Sequence, residues 1–296
     1  MGQELAASFA EARAVFDEVD DALGQKLSAL MFAGPAEDLM LTANAQPAIM
    51  ACSMAVLRVL EKQGGFDLGT AAKFVAGHSL GEYSALCAAR TFSLADTARL
   101  LRLRGDAMQK AVPVGQGGMA ALIGVTFDQA KAIAAEAAQN DVCEAANDNA
   151  EGQVVISGSA AAIDRAMEIA AVQGFKRSVK LNVSAPFHCQ LMQPAADAMR
   201  AALASVAMQA PVVPVVANVT ASAVTQPDEI RELLVKQVTG TVRWRESVLW
   251  MKANGVTQLV ELGQGNVLAG LTKRIDKELP AKSVGTPADI EAFLKG

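Results

Sequence analysis

The stretch of sequence that decides this fold is Phe74-Val75-Ala76-Gly77-His78-Ser79-Leu80-Gly81-Glu82-Tyr83-Ser84-Ala85-Leu86. An apolar run ends at Gly77, a serine stands between two glycines, and an alanine-rich segment follows. Alone, Gly-x-Ser-x-Gly is common by chance and often marks an ordinary turn; between a strand and a helix it indicates a nucleophile elbow. We therefore predict that Ser79 is a nucleophile and that the Leu80 amide points at the group that it attacks.

The composition limits the class of protein and its partners. The chain has 296 residues, of which 52% are hydrophobic and 4% aromatic, which suits helices packed around a buried sheet. Its net charge of -5 makes nucleic acid an unexpected partner. The N-terminal residues lack the features of a signal peptide, and the longest apolar window, residues 48–60, contains Arg58 and is typical of a buried helix. We expect a cytoplasmic monomer with no membrane contact.

The order of predicted elements indicates an α/β fold with an insertion. A first helix is expected over residues 5–23, and a second is expected to begin near Pro47 with Asn44 as its cap. Between residues 113 and 185 the order is βαββαβ, that of a ferredoxin-like unit. We predict a hydrolase-like catalytic subdomain with a parallel sheet, formed by residues 1–112 and 186–296, and a ferredoxin-like subdomain formed by residues 113–185.

A serine nucleophile needs a general base, and the chain offers two histidines. His78 precedes Ser79, and neighbouring side chains project to opposite sides, so elimination leaves His188 as the base. No acidic residue is placed to orient it as in the α/β-hydrolases, so a backbone carbonyl is the alternative. Two isolated histidines and scattered cysteines give no metal-ligand spacing, and we expect no metal site.

Arg104 lies on the apolar face of the helix predicted to begin after Ser93. An unpaired buried charge is costly, so this arginine needs a partner. The partner could be an acidic residue of the fold, or a carboxylate or phosphate of a ligand held by the guanidinium fork. The helical pattern alone leaves both alternatives open.

These residues together resemble the malonyl-CoA:acyl carrier protein transacylases of fatty acid synthesis and the related acyltransferase domains of polyketide synthases. The motifs that carry the resemblance follow the family's order along nearly the whole chain: Thr42-Ala43-Asn44-Ala45-Gln46-Pro47-Ala48, Gly77-His78-Ser79-Leu80-Gly81-Glu82-Tyr83, Leu103-Arg104-Gly105, Gln153-Val154-Val155-Ile156-Ser157-Gly158, Pro186-Phe187-His188-Cys189, Ile230-Arg231-Glu232-Leu233-Leu234-Val235-Lys236-Gln237 and Glu261-Leu262-Gly263-Gln264-Gly265.

The resemblance implies a role for each residue. Ser79 would carry the malonyl group, His188 would be the base, and Arg104 would bind the malonyl carboxylate. The main-chain carbonyl of Gln237 would orient His188. The partners would be malonyl-CoA and acyl carrier protein, whose phosphopantetheine thiol accepts the group, with no cofactor of the protein's own.

One part of the family pattern is missing from this sequence. Members of the family begin with a strand and a Gly-Gln-Gly-Ser-Gln loop, whose last residue supplies the second oxyanion-hole amide. Met1-Gly2-Gln3-Glu4-Leu5 corresponds to the helix after that loop. Either the start codon is misplaced or this form is impaired, and the intact set of other motifs favours the first explanation.

Other functions remain to be distinguished. A discrete acyltransferase of a polyketide synthase would share every residue above. An esterase or thioesterase would use Ser79 and His188 with water as acceptor, but would have no need of Arg104 as a carboxylate clamp. A non-catalytic protein that binds acyl carrier protein is a third class, suggested only by the missing loop.

Overall fold

The computed structural model describes residues 1–295 as helices packed around three small sheets. The helices are α1 (Gln3–Ser8), α2 (Ala10–Leu23), α3 (Leu27–Ala33), α4 (Ala36–Met40), α5 (Thr42–Gly64), α6 (Leu68–Ala71), α7 (Leu80–Ala88), α8 (Leu94–Ala111), α9 (Phe127–Ala138), α10 (Ala160–Val172), α11 (Gln193–Ser205), α12 (Pro227–Thr239), α13 (Trp244–Ala253), α14 (Val267–Ile275) and α15 (Pro287–Lys295). The strands are β1 (Val75–Ala76), β2 (Gly117–Ile123), β3 (Cys143–Ala150), β4 (Gln153–Ser159), β5 (Val179–Lys180), β6 (Val215–Ala217), β7 (Ser222–Val224), β8 (Leu259–Leu262) and β9 (Ala281–Val284).

Residues outside the range 113–185 form two of the three sheets. In the first, β1 pairs in parallel with β6, and β7 adds an antiparallel edge. In the second, β8 and β9 pair in parallel. Side chains of β1 and β8, including Ala76 and Leu259, pack against the same apolar cluster around Trp244, yet within residues 1–295 these two strands do not pair with each other. The predicted parallel strands are therefore present, but they form two short sheets.

The largest apolar cluster forms around α5, which packs against α2, α7 and α8. By length and composition α5 is long and apolar enough to cross a membrane. However, 72% of its most apolar window is buried within the protein. The apolar character of α5 is accounted for by its place in the core.

The ferredoxin-like subdomain has the predicted βαββαβ order. Its sheet runs β3-β4-β2-β5, and every neighbouring pair is antiparallel. Helices α9 and α10 cover one face with their own cluster of buried alanine, valine and isoleucine side chains. The other face, which includes Met119 and Val155, packs against Phe187, the residue before His188. The subdomain boundaries at 112/113 and 185/186 remain a prediction.

Several predicted element boundaries were wrong. The first helix is interrupted at Phe9, which has extended backbone angles and separates α1 from α2. Helix α5 begins at Thr42 and contains Pro47, while Asn44 bonds to the Asp38 carbonyl and to Arg102 instead of capping the helix. The last strand of the insertion, β5, is only 2 residues long. Strand β7, strand β9 and helix α15 were not predicted.

Candidate active site

The turn between β1 and α7 has the geometry of a nucleophile elbow. Ser79 has a φ of 54°, in the left-handed region that most residues avoid. A Cβ atom on Gly77 would lie 2.0 Å from the carbonyl oxygen of Gly81, so only glycine permits the strand and the helix to approach this closely. Leu80 is the first residue of α7, where backbone amides have no helical acceptor. The Leu80 amide is therefore a candidate oxyanion donor.

His188 lies within hydrogen-bond distance of the serine. Its Nε2 atom is 2.8 Å from Ser79 Oγ, and its Nδ1 atom is 2.8 Å from the main-chain oxygen of Gln237. A carbonyl oxygen can only accept, so Nδ1 must carry the proton and Nε2 must accept from the serine hydroxyl. Residues from three separate parts of the chain therefore form one line of hydrogen bonds with the polarity that general-base catalysis requires.

Two features of its surroundings keep His188 neutral. Burial, and secondly the positive charge of Arg104, lower the pKa of His188 to about 3. The imidazole is 3% exposed, so water cannot compensate a charge there. A neutral imidazole at neutral pH is the form that can take the serine proton.

Arg104 reaches the same hydroxyl from the other side. Its Nη2 atom donates to Ser79 Oγ at 3.0 Å and to Gln237 Oε1 at 2.8 Å, and its Nη1 atom donates to Gln46 Oε1 at 2.8 Å. The guanidinium is 1% exposed and also lies over the ring of Tyr83, 5.6 Å from its centre. Burial lowers the pKa of Arg104, but a guanidinium remains protonated in proteins. All of its direct acceptors are neutral oxygens.

The position of Arg104 depends on close contact between α8 and the start of α5. A Cβ atom on Gly105 would lie 2.5 Å from the Cα atom of Ala43, so the glycine allows the two helices to touch. Gln46, on α5, donates to the Thr42 hydroxyl at 3.0 Å, which turns its amide oxygen toward Arg104. These contacts explain why Leu103-Arg104-Gly105 and the α5 motif occur together.

A buried polar network beneath the elbow was not predicted from the sequence. Asn218 follows β6; its Oδ1 accepts from the Ser79 amide at 2.8 Å, and its Nδ2 donates to the Gly77 carbonyl at 2.8 Å. Glu82 accepts from the Asn218 amide at 3.0 Å and from Gln237 Nε2 at 2.9 Å. An acidic residue in an otherwise apolar helix start was the available signal for this network.

The other histidine does not contact the serine hydroxyl. His78 Nε2 is 2.8 Å from Asn149 Oδ1, and the ring lies 5.8 Å from that of Trp244. Burial lowers the pKa of His78. The elimination of His78 as the base is consistent with this geometry.

A groove borders His188 between helix α9 and the end of helix α12. It has a volume of about 360 Å³ and is lined by Ala135 and Cys143 on the ferredoxin-like side and by residues 239–241 on the other. Lys131 lies at its edge. Small side chains line most of this groove. No group of three His, Cys, Asp or Glu side chains that could hold a metal ion occurs within residues 1–295.

Comparison with known proteins gives the same picture. Residues 1–285 match the acyl transferase domain family. The malonyl CoA-acyl carrier protein transacylase of Escherichia coli K12 is 44% identical over 292 residues, which cover 99% of this chain and 93% of that protein. The crystal structure of an acyl-carrier-protein S-malonyltransferase from Bartonella henselae is 57% identical, with a TM-score of 0.97, and the match covers 100% of this chain and 94% of that one.

A further solved structure includes a carrier protein. It contains a type II PKS acyl-carrier protein in complex with its malonyl-transacylase; the match is 41% identical with a TM-score of 0.95 and covers 100% of this chain and 94% of that one. Both the sequence profile and these full-length similarities include every candidate site residue. The chain therefore belongs to the acyl transferase domain family.

Proposed function

We propose that this protein transfers the malonyl group of malonyl-CoA to the phosphopantetheine thiol of an acyl carrier protein, through a malonyl ester of Ser79. The observation that carries the proposal is the position of Arg104, whose guanidinium is 3.0 Å from the same hydroxyl that His188 contacts. A carboxylate-binding cation beside the nucleophile suits an acyl group that carries its own carboxylate.

The first half-reaction loads the serine. His188 Nε2 takes the hydroxyl proton as Ser79 Oγ attacks the thioester carbonyl, and the Leu80 amide donates to the developing oxyanion. The carbon–sulfur bond breaks, and coenzyme A leaves as a thiol with the proton returned from His188. The carbonyl of Gln237 accepts a hydrogen bond from His188 Nδ1–H and thereby orients the imidazole in both half-reactions.

The second half-reaction reverses the roles. The pantetheine thiol of the carrier protein gives its proton to His188 and attacks the malonyl-serine ester. The ester carbon–oxygen bond breaks, and the proton returns to Ser79. The protein is regenerated without net gain or loss of protons or electrons, so these residues require no cofactor for the chemistry.

Arg104 provides selectivity between malonyl and acetyl groups. A malonyl carboxylate can form charge-assisted hydrogen bonds with the guanidinium, whereas acetyl leaves the buried cation with neutral acceptors only. The same residue argues against a simple esterase, for which a buried carboxylate clamp has no use.

We assign substrate entry to the groove beside His188. The two sides of this groove belong to the proposed subdomains 1–112 with 186–296 and 113–185, and a pantetheine arm can extend along it toward Ser79. The side chains of Ser79, His188 and Arg104 and the Gln237 carbonyl all come from one chain, which supports a monomer as the working unit. Malonyl-CoA and carrier protein as substrates support a cytoplasmic location.

Fatty acid synthesis is the pathway that the curated relatives support, since those with high identity over the full chain are malonyl CoA-acyl carrier protein transacylases. The solved complex with a type II PKS carrier protein favours one second candidate, a polyketide acyltransferase. Parallel assays with holo carrier proteins of both pathways distinguish the two by their relative kcat/KM.

The test of the proposed function is transfer itself. Wild-type protein, malonyl-CoA and holo carrier protein should yield malonyl carrier protein, detected by its mass. Apo carrier protein, which lacks the thiol, should remain unmodified, and Ser79→Ala should yield no product. Equal product with wild type and Ser79→Ala would overturn the proposal.

A further inference from the structure

Glu82 is a buried acidic residue that the mechanism above does not use. It lies in the first turn of α7, three residues after the nucleophile, and is 2% exposed. Burial raises its pKa to about 7, although hydrogen bonds from Gln237 and Asn218 act in the opposite direction. Burying a carboxyl group costs free energy unless hydrogen bonds compensate for the lost water.

Two donors converge on one oxygen of this side chain. Glu82 Oε2 accepts from the main-chain amide of Asn218 at 3.0 Å and from the carboxamide nitrogen of Gln237 at 2.9 Å. The Asn218 amide is held in place by β6 and by the bonds of its side chain to the elbow. Glu82 is therefore an acceptor in a fixed position, and its hydrogen bond helps to orient the Gln237 side chain.

The orientation of the Gln237 carboxamide determines whether its oxygen or its NH2 group faces the Arg104 guanidinium. In the observed direction, Nε2 donates to Glu82 and to the Ser79 carbonyl, and Oε1 accepts from Arg104 Nη2. If the amide turned over, its NH2 group would face the guanidinium, and two donors would oppose each other. The acceptors at Glu82 and at the Ser79 carbonyl together exclude the turned orientation.

We propose that Glu82 is a positioning residue for malonyl selectivity, because its carboxyl oxygen orients the Gln237 carboxamide, which in turn holds the Arg104 guanidinium beside Ser79. This inference rests on the proposed function. Glu82 touches no reacting atom and acts on Arg104 through Gln237. The main-chain carbonyl of Gln237, which orients His188, belongs to helix α12 and does not depend on the direction of the carboxamide.

The test compares Glu82→Met, which preserves length but removes the acceptor, with Glu82→Gln, which can keep an oxygen in place. Leaving the Gln237 donor unsatisfied should lower kcat/KM for malonyl-CoA by about tenfold to a hundredfold. With acetyl-CoA as donor the loss should be about threefold or less, because acetyl does not use the guanidinium. Glu82→Gln should restore most of the malonyl activity.

A double-mutant cycle tests the route of the effect. If Glu82 acts through Gln237, Glu82→Met should cost little malonyl activity in a Gln237→Met background. Additive losses, or equal losses with malonyl and acetyl donors, would overturn the inference. Should Glu82→Met fail to fold, Glu82→Asp withdraws the oxygen while keeping the charge, and it must still lose malonyl activity selectively.

The wild-type protein separates this inference from the proposed function. If wild type forms no malonyl carrier protein, the proposed function fails. If wild type transfers malonyl normally and the Glu82 variants keep their preference for malonyl over acetyl, only the role of Glu82 is refuted.

Discussion

Replacing Arg104 by methionine should convert a malonyl-selective protein into one that no longer distinguishes malonyl from acetyl. Methionine approximates the length of the side chain but has no donors. It removes the three hydrogen bonds that the guanidinium makes to Gln46, Gln237 and Ser79, together with the site's buried cation.

The magnitude follows from what each substrate loses. Malonyl loses a charge-assisted pair, for which about 3–5 kcal/mol is typical when one partner of a buried pair is removed. At 1.4 kcal/mol per factor of ten, this predicts a fall in kcat/KM of roughly a hundredfold to several thousandfold. Acetyl loses only the contact with the serine hydroxyl, and removal of the positive charge raises the pKa of His188 and so strengthens the base.

The assay is coenzyme A release with holo carrier protein as acceptor, measured with malonyl-CoA and acetyl-CoA on the same preparations. Acetyl transfer serves as the control for folding. Arg104→Lys is the matched variant: it keeps the charge but not the fork, and it should retain an intermediate preference for malonyl. Equal losses with both donors in Arg104→Met would refute the carboxylate clamp.

Three further predictions concern pH and the elbow. Because the pKa of His188 is lowered to about 3, kcat/KM should show no loss from protonation of this residue above about pH 5; a loss centred near 6.5 would contradict it. The pKa of Glu82 is raised from 4.5 to about 7, so between these values the folded state keeps a proton that the unfolded state has lost, and the free energy of unfolding should fall as the pH rises through this range. In denaturant titrations, the free energy of unfolding of Glu82→Gln should therefore increase relative to that of wild type as the pH rises through the same range. A difference that stays constant with pH would contradict the shift. Gly77→Ala should fail to fold or lose acylation completely, because its Cβ would lie 2.0 Å from the Gly81 oxygen; near-normal circular dichroism and activity would contradict the close approach.

The parts of the fold that were predicted correctly depend on local sequence patterns. The βαββαβ order of the insertion follows from alternation and helical periodicity, and Ser93 caps α8 by accepting from the Asp96 amide, as its spacing indicates. A capping box at Thr126 fixes the start of helix α9. Such signals are contained within a few residues and need no tertiary contact.

The errors arise where tertiary contacts override local signals. Pro47 is a strong indicator of a helix start, yet α5 continues through it from Thr42 because the preceding turn packs against α8 at Gly105. Strands β5 and β7 are only two and three residues long and are defined by their pairing with β2 and β6. A pattern within one segment cannot reveal a partner strand.

The site shows the same division. Ser79 and His188 could be selected because the chain has one elbow motif and two histidines. The helical pattern placed Arg104 on an apolar face but could not identify its partner. Glu82 and Asn218 act only across contacts of 136 to 139 residues in sequence separation, so no local pattern connected them to the nucleophile.

The most direct test of the central claim is the intact mass of the protein after brief incubation with malonyl-CoA. The account predicts one malonyl adduct, located on Ser79 by peptide mapping, that disappears when holo carrier protein is added and reappears on the carrier. No adduct on wild type, or an adduct that persists in Ser79→Ala, would contradict it.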